Sequence, residues 1–167
     1  MVARKEELSK LVTTEKLSKT PKIKGKIAIV RNSDGDVTID RFSEDGATFD
    51  TTPTITVETF NNFLPADLYA RTPDEIETLI KIDCATKKDE ALYQDFNSNR
   101  EEMKFYEYVI CDIGIIDYKT ATVIGKKQAG KNVPPARMDS RTIARHPWNE
   151  ISAYLKTVTN DTGPTTK

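Results

Sequence analysis

The runs LIKIDC (residues 79–84), MKFYEYVICDIGIID (103–117) and ATVIGKK (121–127) decide how this chain folds. In the first, Ile80, Ile82 and Cys84 recur with a period of two. In the second, Phe105, Val109, Cys111, Ile113 and Ile115 fall on odd positions. A period of two puts those side chains on one face of an extended strand. The runs are separated by an Asn97-Ser98-Asn99 turn and by Asp117-Tyr118-Lys119-Thr120. Connections that short suit antiparallel neighbours, because parallel neighbours need a crossover of a dozen or more residues. Residues 79–127 therefore read as an antiparallel meander, with Lys87–Gln94 fitting strand or helix equally well.

Outward from this centre, Ile23–Val30 and Val37–Phe42 are β-rich and flank Asn32-Ser33-Asp34-Gly35-Asp36, where Asp-Gly signals a hairpin. Ser43–Pro53 reads as a polar loop and Thr54–Phe60 as a further strand. Leu64–Ala70 reads as a helical turn or ordered loop. Thr72-Pro73-Asp74-Glu75 has the residue order of a helix start, with a cap, a proline and a glutamate three residues on. Gly130–Pro135 breaks the pattern, and Asp139–Arg145 is read as one or two helical turns. Trp148, Ile151, Leu155 and Val158 follow helical spacing after Pro147. The expected fold class is α+β: an antiparallel β-meander sheet with a C-terminal amphipathic helix packed on it, plus short helical turns. The expected organisation is a flexible basic arm over 1–21, one domain over 22–158 and a disordered tail over 159–167. The arm is Lys-rich and its Leu8, Leu11 and Val12 stripe is short, so little apolar area offsets the entropy of ordering it.

The chain has 167 residues and a net charge of −1, unevenly spread. Residues 1–26 carry eight Lys/Arg against three Glu, and 34–90 carry fourteen Asp/Glu against five Lys/Arg. Residues 126–145 carry Lys126, Lys127, Lys131, Arg137, Arg141 and Arg145 against Asp139. Basic segments lying against acidic ones explain this as well as an external partner does. No apolar run approaches the roughly 18–20 residues that span a bilayer, so no membrane span is expected. The N-terminus lacks the apolar core of a signal peptide. The localisation expected is cytoplasmic if the chain is complete as given, and the cell envelope if a leader has been removed. Cys84 and Cys111 are too few for a zinc site. They read as two buried thiols, or as a cross-strand disulfide of an oxidising compartment if their strands are neighbours.

Four patterns bear on chemistry. Gly125-Lys126-Lys127-Gln128-Ala129-Gly130-Lys131 matches the start of a phosphate-binding loop. Its next residue is Asn132 instead of the magnesium-holding Ser or Thr, and Pro134-Pro135 forbids the helix whose N-terminus would face the phosphates. Asn32–Asp40 has calcium-loop residues at the wrong spacing, since a start at Asn32 puts Gly35 fourth and Ser43 twelfth. The single histidine, His146, precedes a helix-opening proline and lacks any nucleophile motif. Arg137, Arg141 and Arg145 recur every four residues behind Lys126, Lys127 and Lys131. On a helix the three arginines would make one ridge for an anion or nucleic acid. No cofactor or metal is expected.

The pieces KGKIAIV (24–30), LPADLYA (64–70), TPDE (72–75), Cys111 through Asp117, Pro134-Pro135 and the Pro147 helix stand in an order that resembles a group of uncharacterised bacterial domains. The resemblance spans 23–158, with a charged insert at Asn97–Glu102 as a departure. It implies an architecture and a bacterial origin, and no mechanism. The function expected is a non-enzymatic binding or interaction module whose partner is a protein or a second copy. The alternatives are anion or nucleic-acid binding through 126–145 and an enzyme using carboxylates.

Overall fold

The computed structural model describes residues 7–40, 64–94, 97, 99–138 and 142–159. The expected loop at 43–53, the strand at 54–60 and the tail after 159 lie outside the described residues.

Among the described residues six strands form one sheet: β1 (Thr14–Glu15), β2 (Lys26–Ser33), β3 (Asp36–Asp40), β4 (Ile76–Gln94), β5 (Glu101–Asp117) and β6 (Thr122–Ala129). Their spatial order is β1-β6-β5-β4-β2-β3. The pairs β2–β3, β4–β5 and β5–β6 are antiparallel, whereas β2–β4 and β1–β6 are parallel. The sheet is therefore mixed, and the expectation of a purely antiparallel meander is corrected. The reason lies in the connection of residues 41–75, which is long enough to cross over and lay β4 alongside β2 in the same direction. Ile27 through Val30 are buried at every position, the pattern of an inner strand covered on both faces. Ambiguous Lys87–Gln94 is strand, the second half of a 19-residue β4.

Local chemistry fixes the turns. Asp34 and Gly35 both have positive φ, 50° and 92°, as the two-residue β2–β3 hairpin requires. Asn32 Oδ1 accepts the Gly35 N–H. Pro73–Glu75 forms a single 3₁₀ turn with Thr72 ahead of it. The Thr72 side chain makes no cap there, and Glu75 Oε2 instead accepts the Arg71 N–H at 2.8 Å.

The helix α1 (Trp148–Thr159) lies on the sheet. It buries Ile151, Leu155 and Val158 against Ile27, Ile29, Ile80, Ile82, Cys111, Ile113 and Ile115. On the far face, Ala28, Val30, Leu79, Ile116 and Val123 pack with Leu8, Ala70 and Ile76. Leu8 belongs to the N-terminal segment, whose residues 7–9 are helical and whose Thr14–Glu15 pairs with β6. Cys84 and Cys111 face each other in the β4–β5 register, 4.0 Å apart at Cα, and are joined by a disulfide.

Candidate functional site

The sheet changes character at that disulfide. The last β2–β4 pair is Ser33 with Cys84, and the last β5–β6 pair is Cys111 with Ala129. Beyond it, among the described residues, β4 and β5 pair only with each other, from Ala85 opposite Ile110 to Gln94 opposite Glu101. A 12-residue helix is about 18 Å long, whereas a 19-residue strand runs to about 60 Å. So α1 covers the body of the sheet and stops short of this ribbon.

Strand alternation divides the ribbon into two unlike faces. On the far face Tyr106 is buried and Ala91, Tyr93 and Tyr108 are half-buried. The Tyr106 hydroxyl donates to Asn132 Oδ1, and Asn132 Nδ2 donates to Asp89 Oδ2. The Asn132 bond is the main cause holding the Asp89 carboxyl below its usual range. Burial pushes the Tyr106 phenol up. On the helix-side face, every described residue from Thr86 to Gln94 and from Glu101 to Glu107 is exposed. Three of these are large and apolar: Leu92 and Met103, each 55% exposed, and Phe105, 67% exposed. Leu92 lies opposite Met103, and Phe105 lies opposite Glu90, one diagonal step away. The rim is acidic, with Glu90, Glu101 and Glu107 against Lys88, which pairs with Glu107 at 3.5 Å.

A polar cluster sits where the ribbon leaves the body. Ser33 Oγ and His146 Nε2 are 2.9 Å apart. The imidazole stacks on Trp148 with centroids 4.8 Å apart, and the Arg31 guanidinium lies 6.0 Å from the Trp148 ring. Burial pushes the His146 pKa below its ordinary value; the Asp34 charge opposes this and Arg31 reinforces it. A neutral imidazole on a hydroxyl is the first half of a nucleophilic set. The carboxylate facing it is committed elsewhere. Asp34 accepts the Thr86 N–H at 2.9 Å and the Thr86 hydroxyl at 2.8 Å, and these bonds hold its carboxyl low. The pair therefore anchors the segment before α1 to β2. Sequence reading could not find it, because 113 residues separate its members.

The basic residues singled out by sequence are spread across the fold. Lys126 pairs with Glu15 of β1, and Lys127 projects from the opposite face of β6. Lys131 and Arg145 come together, lining a cleft of about 290 Å³, but Glu107 and Glu150 line it too. Arg137 is exposed, and residues 137–138 and 142–147 are not helical. Arg141 lies outside the described residues. In the loop that mimics a phosphate site, Gly125 to Ala129 are strand, and the Gly130 N–H donates to Glu150 Oε2 at 3.1 Å. Among the described residues no group of three His, Cys, Asp or Glu is placed to hold a metal.

No family model, curated protein or solved structure matches this chain.

The apolar trio escaped the sequence reading, although a signal was there. Two strands this long alternate apolar residues past the reach of α1.

Proposed function

We propose that this chain is a non-enzymatic protein-binding module that presents the helix-side face of the β4–β5 ribbon to a partner. The observation that carries the reading is the exposure of Leu92, Met103 and Phe105 together on one face of a projecting two-stranded ribbon. Clustered exposed apolar side chains mark contact surfaces, whereas single ones need no explanation. Aromatic and Met side chains are also enriched in the cores of protein interfaces. Burying one such side chain is worth about 1.5–3 kcal/mol, enough for a small central hot spot. The acidic rim gives the partner its chemistry: an apolar strand or helix flanked by Lys or Arg. The polyanion reading has less support, because Glu107 and Glu150 accompany Lys131 and Arg145 in their cleft.

A photo-crosslinking residue placed at Phe105, and separately at exposed Lys119 as a control, tests this in cells that make the protein. The expected result is one dominant protein adduct from Phe105 that disappears when Leu92→Glu and Met103→Glu are added. No adduct, or the same adduct from Lys119, would sink the reading.

A further inference from the structure

We infer that the Cys84–Cys111 disulfide is the clamp that keeps this docking face ordered, so that the partner is met in an oxidising compartment. The significance for binding rests on the function proposed above; the clamp itself does not. Within the body, β4 is held between β2 and β5, and β5 between β4 and β6. Both outer neighbours end at the cysteine pair itself, Ser33 opposite Cys84 and Ala129 opposite Cys111. The covalent link thus sits on the last rung of the multi-stranded sheet, where the ribbon begins.

What lies beyond that rung lacks most of what stabilises strands. A two-stranded hairpin alone is marginal in water, and past the buried Val109 this one has the described residues of its helix-side face exposed, with the Tyr106–Asn132–Asp89 bonds on the other. Register is the vulnerable property. A slip of one residue between β4 and β5 would turn the Leu92, Met103 and Phe105 set toward opposite faces and dissolve the patch. A bond between directly opposed residues at the ribbon's base forbids that slip at the point where it would start.

The link forms when two thiols give up two electrons and two protons to a dithiol–disulfide oxidant, whose own disulfide becomes a dithiol. Such bonds persist in secreted and envelope compartments and are rare in reducing cytosol. Both cysteines are buried, so a reductant in solution has no path to them in the folded protein. The clamp is therefore set once, at maturation, and is not a reversible switch.

Amide hydrogen exchange on the full chain tests this, comparing the disulfide-bonded protein with Cys84→Val/Cys111→Val, which keeps apolar side chains and removes the link. The expected result is exchange at least tenfold faster over 85–94 and 101–110, with 78–83 and 112–117 changed less than about twofold. Equal loosening of both regions, or no change in the ribbon, would overturn the clamp. Should the variant not fold, the unsubstituted chain made in a reducing cytosol and kept under reductant throughout gives the same comparison. Free thiols on protein secreted into an oxidising compartment would also overturn it. A ribbon that loosens as expected supports the clamp even where crosslinking at Phe105 yields no partner, so the two ideas fail separately.

Discussion

At Gly130 the backbone takes a φ of +95°, and a Cβ built there would lie 2.3 Å from the Val109 carbonyl oxygen. Backbone cannot step aside as a side-chain tip can. Gly130→Ala should therefore cost about 2 kcal/mol or more, read from the shift in urea midpoint. Gly25 also has positive φ, but the atoms nearest its absent Cβ are the carboxyl end of Glu77, which can swing away. His146 makes a pH-dependent prediction. Burial keeps its folded pKa below the unfolded value of about 6.5. On acidification the unfolded chain takes up this proton first, so stability falls as pH drops through about 6.5 toward the lower folded value. Arg31 steepens the effect and Asp34 softens it. His146→Gln should flatten the loss of urea midpoint between about pH 7.5 and 5.5. Parallel curves for the two proteins would show that the imidazole contributes nothing in that range.

Among the elements, α1 and the distal half of β4–β5 respond oppositely to truncation. Leu155 is fully buried between α1 and the sheet, so Leu155→Ala should destabilise by about 3 kcal/mol through lost burial and a cavity. Phe105 is large and exposed, so Phe105→Ala should change stability by less than about 0.5 kcal/mol. Equilibrium denaturation of the two variants separates a core position from a surface kept for contact. The sequence read well where one residue's chemistry decides the outcome. Asp34-Gly35 dictates its turn, Pro147 opens its helix, and Ile113 and Ile115 take the buried face through strand period. It read poorly where distance along the chain intervenes. The parallel β2–β4 pairing depends on a connection whose path no local propensity encodes. The arginine spacing from 137 to 145 has helical period, yet the described residues around it are not helical, because period matters only where the backbone takes up the helix.

For the molecule as a whole, some surface charges meet in pairs, as between Lys126 and Glu15 or Lys119 and Glu77, but neither pair joins a basic segment to the acidic one. In the folded chain the chemistry-like motifs are strand, hairpin and anchor. The exposed ribbon face emerges only when the length of one helix is set against the length of two strands. Another property follows from the parallel union of β2 and β4. Ile27–Val30 leaves the ribosome well before Leu79–Ile82, its neighbour in the finished sheet. The nascent strand must stay soluble in the interim without the β4 neighbour that covers its edge. Joining distant segments raises contact order, which slows folding. The organism making this chain must shield that early apolar strand from aggregation until the later half of the protein has been synthesised.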